Sequence, residues 1–298
     1  MNGVLVIDKP EGITSHDVIW RVRKILRQKS VGHTGTLDPF ATGVLVVLVG
    51  CGTRLAQFLD KAEKEYLATI RFGFETDTGD RTGKPKEPQI TNYELRTAEI
   101  ENSLAKFRGD SLQTPPMYSA KKVDGKKLYE LARQGKEIER QPVKITISKL
   151  EIVDLQTTTG ELQIRVAVSA GTYIRVLAED IGKDLGVGAH LTELRRTRAG
   201  AFDLCQAATL VELENLIHDN KIEQVLISPN NALAHLPKVV LDETAVAKTL
   251  NGMKQRAADL NLKSGDFVRL TDESDNLIAV GVFDAEQQFV QPRVVLAV

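Results

Sequence analysis

The chain has 298 residues, 42% of them hydrophobic and 27% charged, with 39 Lys+Arg against 40 Asp+Glu and a formal net charge of −1. This composition excludes global disorder, and the length allows one large domain or a large domain with a small companion. The longest strongly apolar run, residues 44–49, is too short to cross a bilayer, and Cys51 and Cys205 lack the spacing for a disulfide framework or a zinc site.

Residues 4–7 form an apolar run closed by Asp8-Lys9-Pro10-Glu11-Gly12, which reads as a strand and a turn. Ahead of it there is no basic segment or cleavage site, the pattern of a cytoplasmic protein. Thr14 or Ser15 can cap a helix whose Val18, Val22, Ile25 and Leu26 share one face. Residues 32–43 read as a polar, Gly-interrupted loop that feeds a buried strand over 44–49. Alternation predicts a strand over 66–74, before the turn-rich residues 76–83. Residues 126–135 read as a helical turn or two around Leu128, Leu131 and Ala132, stopped by Gly135. Residues 144–155 and 162–168 read as paired strands, and Val176, Leu177, Ile181 and Leu185 place a helix over 173–185. Linker-like text around Ser228-Pro229-Asn230-Asn231 and Leu236-Pro237 precedes strand candidates at 267–270, 277–283 and 294–298. Strands and helices mix without steady βαβ alternation, so the expected class is α+β. Residues 1–235 are expected to form the main domain and 236–298 a small β-rich one.

The near-zero net charge hides an asymmetry. Residues 203–298 carry 8 basic and 14 acidic side chains, so the remainder holds a net +5. The positive charge is clustered: Arg21, Arg23, Lys24, Arg27 and Lys29 oppose only Asp17, nine Lys/Arg fall in residues 121–149, and Arg195, Arg196 and Arg198 make a third group. Each cluster alone fits a solvated face. Together they point toward a polyanion, whose phosphates such cations neutralise with counterion release.

The loop Gly32-His33-Thr34-Gly35-Thr36-Leu37-Asp38-Pro39-Phe40-Ala41-Thr42-Gly43 holds the strongest candidate for chemistry. Pro39 holds the backbone of Asp38 extended. A carboxylate so fixed can attack carbon or stabilise a developing cation, or it can simply close an Asx turn. His33 is likewise either a site residue or a hydrogen-bonded loop histidine. In Gly171-Thr172-Tyr173-Ile174-Arg175 the arginine can pair bidentately with a carboxylate, or lie on a helix surface. The sequence has no HxxxH pair, phosphate cradle, dinucleotide fingerprint or GxSxG, so an enzyme built here is expected to use neither metal nor organic cofactor.

Residues 32–45 resemble the signature loop of the bacterial tRNA pseudouridine-55 synthases, the TruB family. Gly3-Val4-Leu5-Val6-Ile7-Asp8-Lys9-Pro10, Lys64-Glu65-Tyr66, Thr76-Asp77-Thr78-Gly79-Asp80 and Pro116-Met117-Tyr118-Ser119-Ala120-Lys121-Lys122 resemble further blocks of that family. So do Gly125-Lys126-Lys127-Leu128-Tyr129-Glu130, Gly171-Thr172-Tyr173-Ile174-Arg175 and the stretch from Gly188-Ala189-His190 to Leu194-Arg195-Arg196, all in order over roughly residues 3–200.

The resemblance implies a pseudouridine-synthase fold: a mixed, largely antiparallel sheet flanked by helices and loops, with a small C-terminal PUA-like β-barrel. It implies an isomerase that breaks the N1–C1′ bond of uridine 55 in the T-arm of tRNA, turns the base and rejoins it through C5. Asp38 is then the catalytic carboxylate and Arg175 its ion-pair partner. Tyr66 stacks on the uracil and is the candidate base for the C5 proton. Leu194 lines the apolar side of the pocket, His33 contacts or props the flipped nucleotide, and Tyr173 supports the pocket. Lys9, Lys121, Lys122, Lys126, Lys127, Arg195 and Arg196 are the expected RNA contacts. The C-terminal part is acidic from residue 236 onward (7 basic, 9 acidic), which allows it only an accessory RNA contact.

The expected partner is tRNA, with no membrane, no obligatory protein or guide RNA, and a monomeric state. A guide-dependent synthase and a tRNA-folding chaperone are the alternatives. A retaining glycosidase ranks last, for want of a second carboxylate.

Overall fold

A computed structural model describes the chain except for residues 91–92, 120–121, 124–125, 128–137, 258–260 and 297–298. Its centre is a nine-stranded mixed sheet. Seven strands run in the order β1 (Gly3–Lys9), β3 (Thr42–Val49), β10 (Ala189–Ala199), β4 (Lys64–Phe72), β9 (Glu161–Val168), β8 (Val143–Gln156) and β5 (Gly109–Gln113). β2 (Val31–Thr34) pairs with β3, and β11 (Phe202–Asp203) with β10. Among these pairs only β3 with β10 is parallel. The α+β class and the largely antiparallel sheet agree with the sequence reading.

The apolar run of β3 is buried along its length because both faces are covered. Leu45, Val47 and Val49 pack against the helix Ser15–Leu26 and the helix Leu210–His218, while Val44, Val46 and Leu48 meet Val280, Val294 and Leu296 near the C-terminus. In β4 the pattern alternates instead. Tyr66, Ala68, Ile70 and Phe72 turn inward toward the helix Ile174–Asp184, and Arg71 outward. The register pairs Tyr66 with Arg196 and Arg196 with Gly43, so Tyr66 and Leu45 belong to one face of the sheet. The helices Ser15–Leu26 and Ile174–Asp184 therefore flank the same face.

The first of these helices starts as its sequence predicts. Thr14 Oγ1 accepts from the Asp17 N–H, and an Asp17 carboxylate oxygen accepts from the Thr14 N–H, closing a capping box.

Several elements differ from the sequence reading. The loop expected from residue 32 begins with a strand, because Val31–Thr34 finds the exposed edge of β3. Of residues 126–135, Lys126–Lys127 is a strand, β7, paired with β6 (Lys122–Val123) rather than a helix, and the rest lies outside the described residues. Within the linker-like stretch, Ser228 caps a short helix, Pro229–Ala232. Arg269 donates to Asn230 O, Asn230 Oδ1 and Leu236 O, tying that stretch to the second sheet.

The second sheet has five strands in the order β12 (Lys238–Val240), β14 (Phe267–Thr271), β15 (Leu277–Asp284), β16 (Phe289–Val295) and β13 (Gln255–Arg256). β16 starts five residues before the expected 294, and its Pro292 sits beside a register shift opposite Gly281, where a missing N–H is tolerated.

β3 and β10 can approach only because Gly43 has no side chain. Its φ is +96°, and a Cβ there would lie 2.2 Å from Arg196 O. Gly43→Ala is therefore expected to destabilise the protein by about 3 kcal/mol, from left-handed strain together with separation of the two strands. Urea unfolding followed by circular dichroism tests this, and an unchanged midpoint would remove Gly43 as a constraint on the sheet.

Candidate active site

The loop 35–41 carries Asp38, and other residues hold it at several points. Ser15 Oγ donates to Leu37 O at 3.0 Å and accepts from the Leu37 N–H at 2.8 Å. Gly12 N–H donates to Pro39 O. The Lys9 ammonium donates to Pro10 O, Ile13 O and Pro39 O at 2.8, 2.7 and 3.2 Å. Arg196 donates to Val44 O at 2.6 Å and Gly35 O at 2.9 Å.

Lys9 and Arg196 were expected on the RNA surface, but they are 0% and 1% exposed. Both stabilise the loop from inside, because backbone carbonyls give their charges enough acceptors to be buried. Burial pushes the Lys9 ammonium down to about 8, against the opposing pull of the Asp38 charge.

Across the cleft, the helix Ile174–Asp184 begins after the extended residue Tyr173, and its second residue is Arg175. Arg175 Nε lies 2.9 Å from Asp38 Oδ2, and Nη2 lies 3.3 Å from Oδ1. The same guanidinium donates to Thr78 O at 2.7 Å and Tyr118 O at 2.8 Å, and its Nε is 3.8 Å from Asp80 Oδ2. Only 5% of the Arg175 side chain is exposed, against 36% for Asp38, which keeps one side open to the cleft. Even so, burial is the largest influence on the Asp38 carboxyl and pushes its pKa above the usual aspartate range. Arg175 opposes the shift, and the Asp80 charge adds to it.

The cleft has a volume of about 300 Å³, at the lower end of the range for small-ligand sites. Tyr66 and Leu194, 8% and 7% exposed, stand on adjacent strands in its wall, and Tyr173 borders it. Asp38, Arg175, Tyr66, Leu194 and Tyr173 thus share one cleft. A larger cavity of about 610 Å³, lined by Thr69, Arg71, Gln163 and His190 among others, lies on the opposite face of the sheet and holds none of them.

Two family models match the chain: the TruB family pseudouridylate synthase N-terminal domain over residues 23–174, and the tRNA pseudouridylate synthase B C-terminal domain over residues 175–243. The chain belongs to the TruB family of pseudouridylate synthases. It is 43% identical to tRNA pseudouridine synthase B of Solibacter usitatus over 94% of this chain and 95% of that protein. With the Bacillus cytotoxicus protein of the same name the identity is 45%, over 85% and 84%.

Two solved structures are also similar, one an H/ACA ribonucleoprotein bound to a substrate RNA containing 2′-deoxyuridine, the other a Cbf5–Nop10–Gar1 complex. Their matching chains are 28% and 29% identical, each with a TM-score of 0.77 over 99% of this chain and 85% of theirs. The family and fold named from sequence blocks are therefore the chain's own.

The remaining sequence candidates are placed differently. His33 opens onto a neighbouring pocket that shares Gly35, Thr36 and Asp60 with the cleft. Its Nδ1 is buried without a hydrogen-bond partner, and burial, followed by the Arg196 charge, lowers its pKa. Arg195 pairs with Asp8 at 2.7 Å on the other face of β10. Lys121 lies outside the described residues, and Lys122, Lys126 and Lys127 fall on the short β6–β7 pair.

Three residues in or beside the cleft were not among the sequence candidates. Asp80 accepts from Thr78 and Thr82 and faces Arg175; its place in one of the resembling blocks was the available signal. Lys64, 6% exposed, is pushed down by burial at the cleft wall. Gln113 donates from Nε2 to Tyr173 O and accepts from the Tyr173 N–H, pinning the residue that precedes the helix; nothing in the sequence marks it.

Arg175→Met would leave only the Lys9 charge to oppose burial and the Asp80 charge at Asp38. The Asp38 carboxyl is then expected to titrate at higher pH than in the parent protein, measured by carbon-13 NMR of assigned aspartates. An unmoved titration would show that the guanidinium does not hold the carboxylate in its ionised form.

Proposed function

We propose that this chain isomerises uridine to pseudouridine at position 55 in the T-loop of tRNA, acting alone and as a monomer, in the cytoplasm and without metal or organic cofactor. The observation that carries this reading is the desolvated ion pair of Asp38 and Arg175, beside an aromatic ring in a cleft of nucleoside size. The relatives at 43–45% identity are named for tRNA, which favours that substrate over the guide-dependent alternative.

A base inside a stack cannot reach Asp38, so the uridine must flip out at a cost of a few kcal/mol, part of which stacking on Tyr66 offsets. Leu194 closes the apolar side, and Tyr173 supports the rim. Asp38, ionised and aimed by Arg175, either attacks carbon or stabilises cation character as the N1–C1′ bond breaks. The uracil turns within the cleft, C5 bonds to C1′, Tyr66 as the base takes the C5 proton, and N1, released from C1′, takes up a proton, so the product is an isomer of the uridine. His33 would prop the flipped nucleotide from the adjoining pocket. Lys121, Lys122, Lys126 and Lys127 would take phosphates of the T-arm. We read residues 1–235 as the catalytic domain and 236–298 as an accessory unit.

With unmodified tRNA, Asp38→Asn is expected to lower single-turnover isomerisation by roughly 10³-fold or more while tRNA affinity stays within about threefold. Full activity in that variant would refute the assignment. Because the carboxylate is the working form and its pKa is raised, activity should fall on acidification with a midpoint above the ordinary aspartate value of about 3.9. A midpoint at or below that value would contradict the burial argument. A T-arm hairpin alone, mapped for pseudouridine after incubation with pure protein, tests substrate and guide independence together.

A further inference from the structure

We propose that the outer face of the helix Ser15–Leu26 is a second RNA-contact surface, where Trp20 stacks on an unpaired base and Arg21, Lys24 and Arg27 hold the adjoining phosphates. The inference rests on the reading that this chain acts on RNA, and it adds a contact that the Asp38 cleft does not provide.

Trp20 is the only tryptophan in the chain and is 59% exposed. It borders a groove of about 920 Å³ between this helix and the helix Leu210–His218, together with Met1 and Val211, which are 50% and 67% exposed. The groove thus leaves a flat aromatic ring open on its wall. The same wall carries Arg21, Lys24 and Arg27, all exposed.

None of these cations has a carboxylate within ion-pair distance among the described residues. Arg81, Lys106, Arg108, Arg195 and Arg198 do have one. Arg21 feels the Asp17 charge one turn earlier without forming an ion pair, and the Lys24 ammonium lies 5.3 Å from the centre of the Trp20 ring. A peptide could also fill an apolar groove. A stripe of unpaired cations on one helical face around a single exposed ring, however, matches how proteins hold single-stranded nucleic acid, by phosphate neutralisation and base stacking.

Position supports the same occupant. The helix lies on the sheet face that carries Tyr66, and its first residue, Ser15, is bonded to Leu37 beside Asp38. Trp20 then stands about 8 Å and Arg27 about 18 Å along the axis from Ser15, within reach of an RNA strand engaged at the cleft.

The test uses the full-length protein and unmodified tRNA. Trp20 is its own fluorescent reporter, so saturating tRNA should quench the emission and shield it from iodide. Trp20→Ala should weaken tRNA binding about five- to tenfold, and Trp20→Phe should recover most of that loss. The triple variant Arg21→Gln, Lys24→Gln, Arg27→Gln should lower the slope of log affinity against log salt by about 2. All four positions are exposed, so thermal unfolding should be unchanged and any loss of binding is not a loss of fold.

The inference is overturned if tRNA binds with unaltered emission, affinity and salt slope. It is equally overturned if Trp20 emission changes with protein concentration alone and sedimentation shows a dimer, which would make the groove a protein interface, or if the protein binds no tRNA. Pseudouridine formation, assayed on the same samples, separates the two readings. Quenching without isomerisation leaves this surface standing and removes the function proposed for the cleft.

Discussion

A carboxylate meets a guanidinium at the bottom of a cleft, and most of the surrounding structure serves that contact. Asp38 needs a partner because burial alone would drive it toward the neutral acid. Arg175 can be that partner because its other donors are taken up by Thr78 O and Tyr118 O, leaving a fixed edge for the two carboxylate oxygens. A pair with its guanidinium buried and its carboxylate half-open adds little net stability, since desolvation offsets most of the attraction. What it supplies is aim. Asp80, drawn toward the same guanidinium, makes the cluster a competition of two carboxylates for one cation.

The aim depends on the β3–β10 junction. Gly43 lets the two strands run side by side, and this brings Arg196 under the Asp38 loop and Leu194 beside Tyr66. Lys9 and Arg196 then fasten the loop through carbonyls rather than carboxylates. That choice leaves the negative charge of Asp38 unshared by any acid in its own loop.

Much of this was legible in the sequence. Period-two alternation located β4, a continuous apolar run located β3, and Thr14 or Ser15 as a cap located the start of the first helix. The family blocks named Asp38 and Arg175, which stand 137 residues apart and which no local pattern could join. β10 was not legible as a strand, because Glu193, Arg195, Arg196 and Arg198 read as a charged surface segment. Their charges are met by Asp8, Glu63 and backbone carbonyls that only the folded chain brings near. Lys9 was misread for the same reason, as residue type shows a charge but not its acceptors. The helix Leu210–His218 did carry a signal, Thr209 three residues before Glu212. The link between Gln113 and Tyr173 carried none.

The small C-terminal sheet has a duty unconnected with nucleic acid. Val280, Val294 and Leu296 lie against Val4, Val6, Val44, Val46 and Leu48, and Arg54 reaches the carbonyl of Val295. A gene shortened ahead of those strands would yield a chain in which every residue of the Asp38 cleft is encoded, yet whose rear surface is a bare valine-rich strip. Such a product would clump in the cell before it met a substrate, so loss of the tail would look like loss of catalysis while being a failure of solubility.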